Sequence, residues 1–88
     1  MTEGLYEGLG EVIYWSITPK GLLSFRSGYN GDFIFYILSR LETSSASTRD
    51  LYNFLPKEYK HGGIKRLLSN LFMLEQWGWI EREVRWED

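Results

Sequence analysis

The side chains with the most evident chemistry are the cations between positions 57 and 66. This stretch has a net charge of +3, because it holds four cations and one carboxylate: Lys57, Lys60, Lys65, Arg66 and Glu58. Ammonium and guanidinium groups bind phosphate oxygens, and an arginine can also donate two hydrogen bonds to one guanine. The stretch is therefore suited to a surface that binds a polyanion, although charged runs of this kind also occur on solvated helix faces.

Three more polar residues, His61, Ser69 and Asn70, lie within or just after this stretch. His61 is the single histidine of the chain, and no nucleophile, general base or set of metal ligands accompanies it in the sequence. Glu81 and Glu83 would share one face of a strand, but no third ligand accompanies them. The chain has no cysteine, which excludes disulfides and thiolate metal sites. We therefore expect no catalytic residue, no metal and no cofactor.

The charge of the chain is distributed unevenly along its length. The whole chain carries a formal charge of −2. Residues 67–88 carry −3, because two arginines oppose five carboxylates: Arg82 and Arg85, with Glu75, Glu81, Glu83, Glu87 and Asp88. A terminal strand with this charge would repel phosphates if it approached a duplex, and it would equally suit a basic partner protein.

The cations must be positioned by a helix, because the apolar residues that follow recur at helical spacing. Five of them form one stripe: Ile64, Leu67, Leu68, Leu71 and Leu74. We expect a helix over residues 62–77 that ends at Gly78, with the stripe turned inward from Ile64 onward. Lys65, Arg66 and Ser69 would then point outward, with Asn70 at the margin.

The remaining patterns predict a small α+β domain that occupies residues 1–88, with residues 1–10 as a flexible arm. β-branched and aromatic residues predict a strand at 11–17, and Ile80, Val84 and Trp86 share one face of a second strand at 80–86 that pairs with it. Thr18 and Pro19 open a helix to about residue 26, and Asp32 caps a buried helix at 33–41. A polar break at 42–48 precedes a helix at 49–55, capped by Ser47 or Thr48 and stopped by Pro56.

The segment "LLSNLFMLEQWGWIERE" resembles the junction between recognition helix and wing in MarR-like and PadR-like repressors. Six residues match that junction in order: Leu74, Glu75, Gly78, Ile80, Glu81 and Arg82. The segment "YWSITPKGLLSF" looks like the strand, Thr-Pro-Lys-Gly and helix that follow the wing in such families, although here it precedes the three helices. The resemblance implies a winged helix-turn-helix fold with three to four helices and a small two-stranded antiparallel sheet. Two features depart from it: the connector from Leu55 to Ile64 is long, and the wing lacks its returning strand.

The resemblance also implies a function, a small transcriptional regulator that reads duplex DNA with the helix at 62–77. In that case Arg66 would contact guanine and Asn70 adenine, and Ser69 would face the duplex. Lys57, Lys60, His61 and Lys65 would contact phosphates. Winged helices also act as interaction or dimerisation modules without affinity for DNA, and this alternative stays open.

The aromatic content, 15 residues including four Trp, exceeds what a core of this size needs. We expect either that these residues enrich the core or that they form a homodimer through one of two aromatic groups: Tyr6, Tyr14 and Trp15, or Trp77, Trp79 and Trp86. For each single Trp, core packing is the first expectation. A protein partner could instead add a strand at the acidic C-terminal strand. The longest apolar run, Phe33 to Leu38, is far shorter than the roughly 20 residues that span a bilayer, so we expect a cytoplasmic protein without membrane contact.

Overall fold

The computed structural model describes residues 10–28 and 32–86, which form four helices and one three-stranded antiparallel sheet. The elements follow one another as β1 (Glu11–Ile17), α1 (Pro19–Arg26), α2 (Asp32–Thr43), β2 (Ala46–Ser47), α3 (Thr48–Phe54), α4 (Gly63–Gln76) and β3 (Ile80–Trp86). A single 3₁₀ turn at Lys57–Tyr59 lies between α3 and α4. The predicted α+β class is confirmed. Apart from Gly10, the predicted arm at 1–10 lies outside the described residues.

Short polar residues fix where α1 and α3 begin, as predicted. The Thr18 hydroxyl accepts a hydrogen bond from the Gly21 N–H at 3.1 Å, with Pro19 at the first helical position. Ser47 rather than Thr48 caps α3: its hydroxyl accepts from the Asp50 N–H, and the Asp50 carboxylate accepts from the Ser47 N–H. This reciprocal capping satisfies two amides that the helix itself cannot. The Asp32 side chain, the predicted cap of α2, lies outside the described part of the structure.

The sheet has the order β2-β1-β3, with the N-terminal strand in the middle. β1 pairs with β3 along its whole length, from Glu11 opposite Trp86 to Ile17 opposite Ile80, so the predicted strand pair is confirmed. The prediction of two strands is wrong, because the two residues of β2 add a third on the other side of β1. β2 lies inside the polar run predicted as a break, where two residues are too few to show an alternating pattern.

The core lies between the sheet and the helices, and Trp15 is its largest fully buried side chain. The Trp15 indole N–H donates to the Thr48 hydroxyl at 2.9 Å, so its one polar group is satisfied within the core. Of the two roles expected for Trp15, core packing is therefore confirmed and a place in an aromatic interface is excluded. The other buried apolar residues of the core come from every helix except α1, from β1 to β3 and from the end of α3: Ile13, Ile34, Ile37, Leu38, Leu41, Ala46, Leu51, Leu55, Leu67, Leu68, Leu71, Leu74 and Ile80.

The inward stripe of α4 starts one turn later than its sequence indicates. Leu67, Leu68, Leu71 and Leu74 are buried, whereas Ile64 is 40% exposed. The prediction that Ile64 turns inward is therefore wrong. Helical periodicity gives the direction of a side chain around the helix axis, but it does not tell how far neighbouring elements extend along that axis.

Candidate nucleic-acid interface

The connector before α4 is held in place by one aromatic side chain. Tyr59, in the 3₁₀ turn, packs against Phe33 with ring centroids 5.9 Å apart and against Tyr36 at 5.3 Å. Both partners lie on α2, so the turn is fixed to the central helix rather than left free in solvent. Aromatic pairs of this geometry stabilise a fold beyond the area that they bury.

The polar residues of the connector line a shallow depression that is open to solvent. Its lining consists of Lys57, Glu58, Lys60 and His61. The Lys60 ammonium lies 5.4 Å from the centre of the Tyr52 ring, and the Lys60 carbonyl accepts a hydrogen bond from the Tyr52 hydroxyl at 3.5 Å. Three of the predicted DNA-contacting residues are therefore brought together, and α3 supports one of them through Tyr52.

Arg66 joins the connector to the first turn of α4. Its guanidinium carbon lies 4.8 Å from the centre of the Phe33 ring, and its Nη1 donates to the His61 carbonyl at 3.4 Å. A planar guanidinium on an aromatic ring keeps its remaining N–H groups pointing outward, where they can bind oxygen atoms of a ligand. Arg66 is therefore exposed and also held in one region of the surface.

The backbone adds positive potential at the same place. α4 starts at Gly62 and Gly63, whose φ angles are +84° and +62°, and no side chain of the described residues caps its first amides. The start of a helix carries a partial positive charge, which favours anions near it. The exposed Lys65 and Arg66 lie in this first turn. We call Lys57, Lys60, His61, Lys65 and Arg66 the basic surface.

Ser69 and Asn70, the two predicted polar readers, bond to the backbone of their own helix. The Ser69 hydroxyl donates to the Lys65 carbonyl at 3.2 Å, and the Asn70 amide donates to the Arg66 carbonyl at 3.0 Å. Ser69 is exposed and Asn70 is half-buried. Each keeps unused hydrogen-bonding capacity, but reading a base would require these bonds to be shared or broken.

None of the ion pairs within residues 10–28 and 32–86 uses a cation of the basic surface. The three pairs are Arg26–Glu42, Arg82–Glu75 and Arg85–Glu83. Lys57, Lys60, Lys65 and Arg66 therefore keep charges that no carboxylate in this part of the molecule neutralises by contact. Their charges remain available to an external anion.

The strand expected to be acidic is largely balanced. The Glu75 carboxylate at the end of α4 accepts two hydrogen bonds from Arg82, at 2.6 and 2.8 Å. This hydrogen bonding, together with the negative charge of Glu75, raises the pKa of Arg82 despite partial burial. Glu83 is paired with Arg85. Over Ile80–Trp86 two carboxylates and two arginines give no net charge, so the charge of −3 over residues 67–88 comes from Glu75, Glu87 and Asp88.

Two kinds of site were also sought across the described residues. No group of three His, Asp or Glu side chains among them could hold a metal ion. No helix in the same ranges has the length and apolarity to cross a membrane.

Aromatic residues are the part of the candidate site that the sequence did not reveal. Phe33, Tyr36 and Tyr59 form the base on which the connector and Arg66 rest. Phe33 and Tyr36 are three residues apart on α2, a spacing that puts them on one helix face. That spacing was visible in the sequence, but their contact with residues 59 and 66 depends on tertiary packing.

No protein-family model, curated protein or solved structure matches the chain.

Proposed function

We propose that this protein binds duplex DNA through the basic surface and acts as a small transcriptional regulator. One observation carries the proposal: four cations gather around the start of α4, and none of them contacts a carboxylate within the described residues. The surface has a rigid support, because Tyr59 and Arg66 rest on aromatic rings of α2. A fixed cluster of cations loses less entropy on binding phosphates than flexible lysines would.

We further propose that the fold is a winged helix in which β1 supplies the strand that returns from the wing. β1 is antiparallel to β3 and lies between β3 and β2. It is followed by Thr18-Pro19-Lys20-Gly21 and α1, the order that follows the wing in MarR-like and PadR-like proteins. The returning strand missing after β3 would thus be present before the three helices, as in a circular permutation of the chain.

In this arrangement α4 is the recognition helix, and its first turns approach the major groove. The lysines of the basic surface contact phosphates and position the helix. Ser69 and Asn70 already bond to their own helix, so most affinity comes from charge and shape rather than from base contacts. We therefore expect modest sequence selectivity for one copy of the chain, with Arg66 as the main candidate for a contact with guanine.

An NMR titration of labelled protein with random-sequence duplex at two salt concentrations tests the proposal. Amide shifts should cluster at residues 57–70, and binding should weaken steeply as salt rises. Lys65→Ala and Arg66→Ala should each weaken binding and lower the slope of log K against log salt by about 0.9, the loss of one phosphate contact.

Lys20→Ala is the matched control for these variants. Lys20 is an exposed lysine beside Gly78, at the opposite end of α4, about 20 Å from its first turn for a helix of 14 residues. The control should leave both the affinity and the salt slope unchanged. Absence of duplex binding at low salt, or equal loss in Lys20→Ala and Arg66→Ala, would contradict the proposal.

A protein-interaction module without affinity for DNA is the second candidate function. The observation that favours it is the exposure of Val84 and Trp86 on the edge strand β3. Retention of a protein partner at low salt, where duplex DNA fails to bind, would support this alternative over the first.

A further inference from the structure

The outer edge of β3 is available to another strand. In the sheet formed by the described residues, β3 pairs with β1 on one side and with no strand on the other. Val84 is 49% exposed and Trp86 72% exposed, although both share the face of the strand on which Ile80 is buried. An exposed strand edge with apolar side chains is a template for pairing with a further chain.

We propose that the partner at this edge is a second copy of the chain, paired antiparallel through β3 with its two-fold axis at Val84. This inference names a surface for the expected homodimer, and it does not depend on the proposal of DNA binding. The proposed ladder covers residues 82–86, with Val84 of one copy opposite Val84 of the other.

Charge complementarity selects this register. Side chains directly opposite each other on antiparallel strands lie on one face and interact. An axis at Val84 puts Glu83 of each copy opposite Arg85 of the other, and Trp86 opposite Arg82. An axis at Arg82, Glu83 or Arg85 would instead put that charged residue opposite itself. Among the central positions of β3, only Val84 avoids a contact between like charges.

The Arg82 side chain is already placed for its contact with Trp86 of the second copy. The Arg82 guanidinium lies 5.5 Å from the ring centres of both Trp15 and Phe72, so a Trp86 ring from the second copy would extend an existing stack of arginine and aromatic groups. On the opposite face, the Arg85 guanidinium lies 4.2 Å from the Tyr14 ring and donates to the Glu83 carboxylate at 3.1 Å and to the Ser45 hydroxyl at 3.2 Å. It would have to turn from Ser45 towards the outer edge of β3 to meet Glu83 of the second copy. In the dimer, each Glu83 would pair with Arg85 of the other copy instead of Arg85 of its own, so each carboxylate would keep a partner.

The symmetry also determines where the helices lie. A two-fold axis perpendicular to the sheet keeps each face on its own side, so the two copies would form one six-stranded sheet with all helices on the same side. The two α4 helices would then belong to one surface of the dimer. A ligand that spans that surface could contact both copies.

Charge-swap variants, measured by sedimentation velocity without DNA, test the interface. The unchanged protein should dimerise. Glu83→Arg and Arg85→Glu should each self-associate about tenfold more weakly, because both symmetric contacts turn from attraction to repulsion. An equimolar mixture of the two variants should form a heterodimer, since every Arg at 83 or 85 then faces a Glu.

Each substitution also breaks the ion pair between residues 83 and 85 within its own chain, and mixing does not repair that pair. Recovery of a dimer in the mixture would therefore report the contact between the two copies alone. Circular dichroism should show both variants folded. Leu23→Lys, which changes an apolar side chain of 70% exposure on α1, should leave the dimer intact. Three results would each overturn the inference: the unchanged protein is a monomer, the single variants dimerise as well as the unchanged protein, or the mixture stays monomeric. None of these results bears on whether the protein binds DNA.

Discussion

The contact between Trp15 and Thr48 shows how one polar group constrains the core. The indole N–H is buried and has a single partner, the Thr48 hydroxyl. Thr48 is also the first residue of α3, so the bond fixes the start of that helix against the central strand. Loss of the hydroxyl would leave a donor buried without an acceptor, which costs more than the loss of an exposed hydrogen bond.

We predict that Thr48→Val lowers the free energy of unfolding by about 1 to 3 kcal/mol, because it keeps the volume and removes the acceptor. Urea denaturation followed by tryptophan fluorescence measures the change. Thr43→Val, at the exposed end of α2, is the control and should stay within about 0.5 kcal/mol of the unchanged protein. Equal effects of the two substitutions would show that the hydrogen bond contributes nothing.

For single residues, the sequence predicted the starts of helices more accurately than it predicted which side chains are buried. Thr18 and Ser47 were identified as caps because short hydroxyl side chains bind local amides, which needs no knowledge of the rest of the molecule. Ile64 was assigned wrongly, and Trp15 was left between a core and an interface role, since both depend on which elements cover them. The basic surface was predicted as a group, but the Phe33 ring beneath Arg66 comes from a helix distant in sequence.

At the scale of elements, α1 is fixed to the junction between α4 and β3 by an unusually close contact. The Thr18 N–H donates to the Trp79 carbonyl at 2.9 Å, and the Thr18 hydroxyl donates to the Gly78 carbonyl at 2.6 Å. One turn later the backbone of Gly21 lies against the same Trp79 carbonyl, so that a Cβ at position 21 would overlap it. The absence of a side chain at Gly21 therefore lets α1 pack here.

We predict that Gly21→Ala destabilises the fold by about 1 to 3 kcal/mol, the usual cost of overpacking. The sign of the change in unfolding free energy is informative, because a Gly→Ala substitution within a helix ordinarily stabilises the helix by about 0.5 to 1 kcal/mol. Thermal and urea unfolding give the measurement, with Ser24→Ala on the same helix as the control. A gain in stability for Gly21→Ala would show that α1 does not rest on the Trp79 carbonyl.

The sequence predicted all four helices and the two long strands, the short helices α1 and α3 from their caps and the longer elements from their patterns. β1, β3 and α4 each repeat their apolar residues over at least seven positions, and all three occur close to the expected bounds. β2 has two residues and the 3₁₀ turn at Lys57–Tyr59 has three, too few for an apolar pattern to repeat, and both were missed. Their conformation is set by the strand or the rings against which they pack.

For the molecule as a whole, the pairing of Glu11 with Trp86 brings the two ends of the described fold side by side. Residues paired directly on antiparallel strands have Cα atoms about 4.5 to 5.5 Å apart, so a two-residue turn can join them. This proximity makes the proposed permutation of a winged helix accessible to experiment.

We predict that a permuted chain, with residue 86 joined to residue 11 through Asn-Gly and new ends between residues 28 and 32, folds to the same structure. The amide NMR spectrum and the unfolding temperature provide the comparison. A control permutant with the same turn, opened between Ile37 and Leu38 inside α2, should fail to fold because it interrupts the core. Failure of the first permutant as well would argue against a hairpin arrangement of β3 and β1.

The central position of β1 has a consequence for synthesis of the protein. The ribosome makes this strand before the four helices of the described residues and makes its long partner, β3, after them. Until β3 leaves the exit tunnel, the β1 edge that β3 will cover has no neighbouring strand. The apolar face of β1 can then be shielded only by helices or by a chaperone. The β1 edge is therefore most exposed to aggregation between the synthesis of α4 and that of β3.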